Sequence, residues 1–255
     1  MKIIFITQDD NFYLPIFFNK FLSLSSSKNN FTIKKIYLLP SSPNTKKSSL
    51  FKKGIESLFL FGFKFFIFFS LLYFLNKIFS DTLKKIFSRK NLDFEKYNGS
   101  INSKSFLKKI KAIKPNLIIS LSCNQLFKNE ILNIPDIGCI NIHSSLLPKD
   151  RGLMPSFWAL CKNHTYTGVS VFFMNEYLDD GPIIYQKKYK INDLSLHSLL
   201  KKNKTIAAEC LIKSLKTLDS IDINSKKNSF KLSTYNYYPL KKDVKLFYKN
   251  KKRFF

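Results

Sequence analysis

A chain of 255 residues can hold one large domain, or a domain with a small appendage. Hydrophobic residues make up 45% of it, which excludes a globally disordered chain. With 43 Lys and Arg against 17 Asp and Glu the net charge is +26, which is compatible with nucleic acid, a membrane surface or an anionic small substrate. The basic residues are nearly all lysines, and the richness in Lys, Asn, Phe and Ile also fits an AT-rich genome, so the charge alone selects no partner.

Cysteine usage and the first residues favour a reducing, cytoplasmic compartment. The four cysteines (Cys123, Cys139, Cys161 and Cys210) form no C-x-x-C pair and have no His at metal-ligand spacing. We therefore expect neither a disulfide framework nor a metal site. The apolar N-terminal stretch "MKIIFI" soon meets acidic residues and is too short for a signal-peptide core.

Strands and helices alternate from the start of the chain. Residues 2–7 predict a buried strand, 11–24 a helix and 31–39 a second strand, which is how a parallel α/β sheet begins. A linker rich in Ser, Pro, Asn and Lys follows at 40–49.

The next segment, 57–79, is almost entirely apolar and is interrupted by Gly62 and Lys64. Three interpretations are open: a helix pair packed on the domain, a helix lying in a membrane surface, or a membrane span. The span is least favoured because it would divide one folding unit. In the second interpretation, a peripheral contact through 50–90, anionic lipid would meet Lys52, Lys53, Lys77, Lys84 and Lys85.

The α/β alternation then resumes, and no internal repeat is present. The fold class predicted is α/β, with a mostly parallel Rossmann-like sheet flanked by helices and a hydrophobic helical insertion at about 50–90. The predicted helices are 104–115, 124–132, 156–162 (after Pro155) and 196–218, and the predicted strands are 116–122, 138–143, 167–174 and 182–191.

The stretch "GCINIHSSLLPKDRG" (138–152) puts two polar side chains on one face of a strand that breaks into a loop. Because side chains alternate along a strand, Ile140 and Ile142 should point one way and Asn141 and His143 the other. Ligands bind in crevices at the carboxyl ends of strands in open α/β sheets. Asn141 and His143 are therefore candidate site residues.

Three segments, "NIHSSLLPKDRG", "TGVSVFFM" and "LDDGPII", together resemble the folate-dependent formyltransferase family, whose members act on methionyl-tRNA, glycinamide ribonucleotide or amino-sugar nucleotides. Its pattern is similar to N-x-H-P-S-L-L-P-x-[YF]-R-G, then T-G-V and D-x-G-P. The matching residues are Asn141, His143, Ser145, Leu146, Leu147, Pro148, Arg151, Gly152, Thr167, Gly168, Val169, Asp179, Gly181 and Pro182. Two departures, Ser144 for Pro and Asp150 for an aromatic residue, lie outside the three proposed catalytic residues and concern the substrate, not the reaction type.

The resemblance, which covers roughly 1–40 and 100–220, implies formyl transfer from 10-formyltetrahydrofolate to a primary amine. The amine would attack directly through a tetrahedral intermediate, with no metal and no acyl-enzyme. Asn141 would donate to the oxyanion, His143 would exchange protons, and Asp179 would favour the imidazolium. Asp180 competes with Asp179, but the D-x-G-P register favours Asp179. The implied folate-binding residues are Cys123, Asn124, Gln125, Leu126, Phe127, Ser145, Leu146, Leu147 and Pro148.

The amine acceptor is predicted less directly. The tRNA-acting relatives carry a C-terminal β-barrel, for which too few residues follow Asp179, and "GLMPSFWAL" resembles the corresponding helix of members acting on sugars. We therefore rank an amino-sugar nucleotide or related small anionic amine above glycinamide ribonucleotide and methionyl-tRNA. We expect a catalytic domain at 1–220 and a short basic, aromatic tail at 221–255. The location expected is the cytoplasm, with a peripheral position at the inner face of the membrane left open.

Two alternatives to this interpretation stay open at the sequence level. One is a non-catalytic protein of the same fold that binds a membrane or nucleic acid. The other concerns the tail, whose composition suits single-stranded nucleic acid and equally suits an edge strand with a short helix.

Overall fold

The fold was analysed in a computed structural model, which describes residues 1–25, 30–40, 50–79, 81–192, 195–218, 228 and 233–255. Most of the predicted linker, 41–49, lies outside the described residues. The strands are β1 (Lys2–Gln8), β2 (Thr32–Leu39), β3 (Phe94–Lys96), β4 (Leu117–Leu121), β5 (Gly138–His143), β6 (Arg151–Gly152), β7 (Tyr166–Phe173), β8 (Ile183–Lys190) and β9 (Tyr235–Asn236).

Seven of these strands form one sheet in the order β3-β2-β1-β4-β5-β7-β8. The pairs from β3 to β5 are parallel, whereas β7 runs antiparallel to β5 and β8 antiparallel to β7. The predicted mostly parallel sheet is therefore confirmed. β6 and β9 pair with each other in a separate two-stranded ribbon.

Helices cover both faces of the sheet. They are α1 (Leu14–Leu24), α2 (Leu50–Phe61), α3 (Phe63–Phe79), α4 (Leu83–Arg89), α5 (Lys104–Ile113), α6 (Asn129–Leu132), α7 (Pro155–Cys161), α8 (Leu196–Thr217) and α9 (Lys241–Lys249). Side chains from α1, α4 and α8 pack on one face with Ile3 and Phe5, and side chains from α5 and α6 pack on the other with Ile4 and Ile6. Because β1 is buried on both faces, its sequence is a continuous apolar run.

The helix predicted over 124–132 is wrong for its first five residues, since only Asn129–Leu132 is helical. Polar side chains before it bond to distant backbone instead. Asn124 Nδ2 donates to the Pro40 carbonyl at 2.9 Å, and Gln125 Nε2 donates to the Gly99 carbonyl at 3.0 Å. These bonds hold the segment as a loop at the end of β4.

The apolar segment forms a helix pair that packs on the domain. Gly62, at a φ of +93°, separates α2 from α3, and this left-handed conformation favours glycine. On the inner side of α3, Phe65 contacts Phe61 and Phe254, with ring centroids 4.5 and 4.9 Å apart. Among the described residues, no helix has the length and hydropathy needed to cross a bilayer.

The described C-terminal residues adopt the edge-strand and short-helix form that the tail composition allowed. β9 extends the ribbon with β6, and α9 buries Val244 and Phe247 against α7. The Phe157 and Phe247 rings stack at 5.0 Å, and Trp158 Nε1 donates to the Tyr237 carbonyl at 3.0 Å. This end of the chain therefore packs directly on the elements that follow β5.

Candidate active site

The polar face of β5 is directed as the alternation predicted. Ile140 and Ile142 lie in the core beneath α1 and α8, whereas Cys139, at the start of the same strand, packs towards α5. Asn141 is level with Ser120 on β4 and with Phe172 on β7. Asn141 and His143 therefore project from one face near the carboxyl end of the parallel strands.

His143 is buried between two groups that hold its ring. Its Nε2 lies 2.8 Å from the Asp150 carbonyl, and its Nδ1 lies 3.7 Å from Asp179 Oδ2. Because a carbonyl oxygen only accepts, Nε2 carries the hydrogen in that bond. The neutral ring therefore keeps the lone pair on Nδ1, beside the carboxylate.

Asp179 is fixed by the backbone around it. The Gly152 N–H donates to Asp179 Oδ2 at 2.8 Å, and Asn228 Nδ2 donates to the Asp179 carbonyl at 2.9 Å. A Cβ at Gly181 would lie 1.7 Å from the Phe173 carbonyl oxygen, so the chain passes too close there for any other residue. The loop after β7 thus holds the carboxylate in a single position facing His143.

The neighbouring carboxylate, which competed with Asp179 at the sequence level, faces a different partner. Asp180 Oδ1 lies 2.6 Å from Nη1 of Arg151, whose side chain is buried. The geometry thus gives the two adjacent acids separate positions, with Asp179 beside the imidazole and Asp180 beside the guanidinium.

A cavity of about 180 Å³ opens beside Asn141 and Asp179. Asn141 Oδ1 accepts from the Ile142 N–H at 2.9 Å, and no described residue accepts from Nδ2 of the same amide. The other residues lining the cavity are Ser120, Cys123, Asn124, Gln125, Leu126, Phe127, Leu153, Phe172, Met174, Asn175, Glu176, Tyr177 and Leu178.

The cavity therefore brings together the predicted loop 123–127 and a second wall, 174–178, that the sequence reasoning missed. A signal existed, because this wall is the remainder of the loop that carries Asp179. In the loop 123–127, Asn124 Oδ1 is buried and accepts no hydrogen bond from the described part of the chain. Burial raises the pKa of the Cys123 thiol to about 11. The thiol donates to the Gln125 carbonyl.

Four other predicted residues, Ser145, Leu146, Leu147 and Pro148, are not among the described residues that line this cavity. They form the turn after His143 instead. Ser170 Oγ donates to the Ser145 carbonyl at 2.6 Å and accepts from the Leu147 N–H at 3.1 Å. The turn is thereby tied to β7 and leads the chain to Asp150.

Asp150 is the centre of a buried polar cluster that the sequence reasoning treated only as a departure from a pattern. Its Oδ1 accepts from Asn236 Nδ2 at 2.9 Å and lies 3.2 Å from Lys162 Nζ, and its Oδ2 lies 3.2 Å from His164 Nδ1. Burial raises the pKa of Asp150, but the bonds from His164 and Asn236 and the charges of His164 and Lys162 outweigh it and lower the pKa to about 2. The same residue's carbonyl holds His143.

A second pair of opposite charges lies at the carboxyl ends of β1 and β4. Lys204 Nζ donates to Ser122 Oγ at 2.8 Å, and Asp10 accepts from the Phe12 N–H at 2.7 Å. Burial raises the pKa of Asp10 and lowers the pKa of Lys204, and each charge opposes the shift of the other. The strand order reverses between β1 and β4, which is where open α/β sheets bind ligands.

No metal centre is found in the part of the chain that the structure describes: no three His, Cys, Asp or Glu side chains there are grouped to hold an ion. The four cysteines are free thiols.

A mostly parallel α/β sheet with an amide and a carboxylate that line a cavity at its carboxyl edge, and with a buried imidazole beside that carboxylate, defines an α/β protein with an enzyme-like site. Residues 80–215, more than half of the chain, match the family model described as Formyl transferase. The chain belongs to this folate-dependent formyltransferase family.

Its curated relatives include proteins named methionyl-tRNA formyltransferase. That of Thermodesulfovibrio yellowstonii is 41% identical over 112 residues, which are 44% of this chain and 36% of that protein. That of Prochlorococcus marinus (strain MIT 9215) is 33% identical over 162 residues, which are 63% of this chain and 49% of that protein. The chain thus spans less than half the length of these relatives.

Solved structures share the fold at low identity. A sugar N-formyltransferase from Shewanella sp. FDAARGOS_354 aligns with a TM-score of 0.59 and 19% identity, over 96% of this chain and 86% of that chain. Phosphoribosylglycinamide formyltransferase from Anaplasma phagocytophilum aligns with a TM-score of 0.60 and 14% identity, over 93% and 99% of the two chains.

Proposed function

We propose that this protein transfers a formyl group from 10-formyltetrahydrofolate to a primary amine of a small anionic acceptor, foremost an amino-sugar nucleotide, by direct attack of the amine. The observation that carries the proposal is the grouping of Asn141, His143 and Asp179. Asn141 and Asp179 line one cavity, and His143 Nδ1 lies 3.7 Å from the carboxylate of Asp179.

The residues of the cavity fit the folate. Leu126 and Phe127 offer apolar contact, and the buried Asn124 Oδ1 offers an acceptor for a ring N–H or amino group. The loop 123–127 would hold the pterin, with backbone groups adding hydrogen bonds. When bound, 10-formyltetrahydrofolate would supply the formyl group, and the chain's own side chains would move the protons and stabilise the developing charge.

Each of the three polar side chains has one task. Asn141 Nδ2 donates a hydrogen bond to the formyl oxygen as negative charge develops on it, which favours the transition state over the bound reactants. His143 Nδ1 takes the proton of the attacking amine, because Nε2 already donates to the Asp150 carbonyl. Asp179 then faces the imidazolium and stabilises its charge. As the bond between the formyl carbon and the folate nitrogen breaks, the imidazolium returns its proton to that nitrogen, so that tetrahydrofolate leaves as a neutral amine.

One observation supports a small anionic acceptor. The ammonium of Lys204 lies at the crevice between β1 and β4 and bonds to Ser122, the residue directly before the loop 123–127 that lines the cavity. The net charge of +26 is compatible with an anionic acceptor of any size and does not by itself select one. The choice of an amino sugar rests further on "GLMPSFWAL", the segment leading into and forming most of α7, which resembles members of the family acting on sugars.

The curated relatives named methionyl-tRNA formyltransferase favour methionyl-tRNA as a second candidate acceptor. Glycinamide ribonucleotide is the third candidate acceptor, because some members of the family that the chain resembles act on it. We further propose that residues 1–220 form the catalytic domain, that the tail completes the scaffold around Asp150, and that the enzyme works in the cytoplasm.

The test is a mass-spectrometric assay of the purified protein with 10-formyltetrahydrofolate and each acceptor class, beside His143→Ala. Addition of one formyl group to an amino-sugar nucleotide, reduced about 10²-fold or more in the variant, would support the full proposal. Product only with methionyl-tRNA or glycinamide ribonucleotide would keep the reaction and replace the acceptor. Absence of both product and folate binding would refute formyl transfer and leave a non-catalytic binding role.

A further inference from the structure

Helix α3 carries large apolar side chains all around its axis, although only one of its sides is packed on the domain. On the inner side, Phe68 contacts His197 and Phe255, with ring centroids 5.4 and 4.4 Å apart, and Phe69 contacts Phe12 at 6.4 Å. A helix that is hydrophobic all round is normally buried on all sides. We therefore expect a binding partner to cover the outer side of α3.

The outer side presents a continuous stripe of large apolar side chains. Positions three and four residues apart share one face of a helix, and this spacing links the exposed residues of α3. Phe59 lies near the end of α2, four residues before Phe63 in the chain, and is exposed as well. These residues, which we call the apolar stripe, are 48–68% exposed: Phe59, Phe63, Ile67, Leu71, Phe74 and Ile78.

Exposed lysines lie beside the apolar stripe or close to it along the chain. Lys241, at the start of α9, lies with its Nζ 6.0 Å from the centre of the Phe59 ring. Lys64 projects from α3 itself, and Lys84 and Lys85 are exposed on α4 directly after it. An apolar helical face with lysines close to it is the pattern of a helix that lies in the interface of an anionic membrane.

We propose that the apolar stripe and these lysines dock the protein peripherally on a membrane surface rich in anionic phospholipid. With 17 residues, α3 is about 25 Å long and would lie flat, with its outer side chains among the upper acyl chains. The charge argues against a second copy as the covering partner, because each copy carries +26 and two would repel. Docking is independent of the formyl transfer proposed above.

The experiment is flotation of the full chain with vesicles of phosphatidylglycerol and phosphatidylcholine, compared with phosphatidylcholine alone. We expect binding only to the anionic vesicles, weakening as salt screens the lysines. Ile67→Asn/Phe74→Asn should reduce the partition coefficient about 10-fold or more, whereas Leu24→Asn/Tyr166→Asn, which alters exposed apolar residues outside the stripe, should not.

A second pair of variants tests whether vesicle binding depends on the lysines near the stripe or only on the net charge of the protein. Lys64→Gln/Lys241→Gln should weaken binding about 30-fold, at roughly 1 kcal/mol for each of the two lysines near the surface. Lys108→Gln/Lys111→Gln removes the same charge from exposed positions on α5 and should have little effect. Circular dichroism and thermal unfolding establish that each variant is folded.

Three results would overturn the proposal. The first is no binding to anionic vesicles at low salt. The second is that both pairs of lysine substitutions weaken vesicle binding equally and that Ile67→Asn/Phe74→Asn has no effect on it. Binding would then come from the overall charge of the protein and not from the stripe. The third is that the parent chain binds no vesicles and sediments as a dimer, and that Ile67→Asn/Phe74→Asn converts this dimer to a monomer. A second copy of the chain would then be the partner that covers the stripe.

Discussion

Replacing Asp179 by Asn tests whether its negative charge, and not merely its shape, supports the reaction. Asn has the same size and keeps an oxygen that can accept from the Gly152 N–H, now 2.8 Å from Asp179 Oδ2. What it loses is the attraction between the carboxylate and an imidazolium at His143, whose Nδ1 lies 3.7 Å away. With an effective dielectric constant of about 20, unit charges at that separation attract by about 4–5 kcal/mol.

Part of that attraction is replaced by solvent and by relaxation of the site, so we expect kcat to fall about 10²- to 10³-fold, or about 3–4 kcal/mol. Steady-state formylation by Asp179→Asn should give this loss in kcat. The folate Kd, measured separately by fluorescence titration, should change only a few-fold.

The matched control is Asp180→Asn, the same substitution one residue along. Asp180 pairs with the buried Arg151 at 2.6 Å and does not face His143, so its loss should lower the unfolding free energy by about 1–3 kcal/mol. The kcat of the folded protein should stay within a few-fold. A kcat for Asp179→Asn within fivefold of the parent, or a larger loss in Asp180→Asn, would refute the assignment.

Three further substitutions or treatments probe the site and its supports. Asn141→Ala should lower kcat about 10²- to 10³-fold in the formylation assay while the folate Kd stays within a few-fold; an unchanged kcat would remove Asn141 from the site. The pKa of Asp150, lowered to about 2 from an ordinary 3.8, should add about 2 kcal/mol of stability above pH 4, and about half of this should be lost by pH 3. Urea unfolding at pH 5 and pH 3 should therefore show a steeper loss for the parent than for Asp150→Asn, and equal losses would contradict that pKa. Because burial raises the pKa of Cys123 to about 11, Ellman's reagent at pH 8 should label it about 100-fold more slowly in the folded protein than in urea; comparable rates would contradict its burial.

The central sheet and the position of Asn141 and His143 could be predicted because their signals are local. The strand predicted at 138–143 is β5 itself, and its alternation sends Ile140 and Ile142 into the core as expected. Strand periodicity needs only a few residues, and the turn signals that end β5 lie directly after it.

The parts that sequence reasoning missed depend on contacts between distant residues. The loop after β4 looked helical, yet Gln125 bonds to Ile101 and Gly99, more than twenty positions away. The cluster around Asp150 includes Asn236, which is 86 residues further along the chain. For α3, hydrophobicity alone could not decide which side would be packed, because both sides are apolar.

Asp150 joins two structures through different parts of one residue: its carboxylate bonds to Asn236 on β9, and its carbonyl bonds to His143. A replacement at 150 whose side chain cannot accept a hydrogen bond would leave the buried amide of Asn236 without that partner, at a cost of about 1–3 kcal/mol. Natural sequences should therefore change the two positions together. Across homologues we expect positions 150 and 236 to covary. Homologues with an aromatic residue at position 150 should lack an amide side chain at position 236.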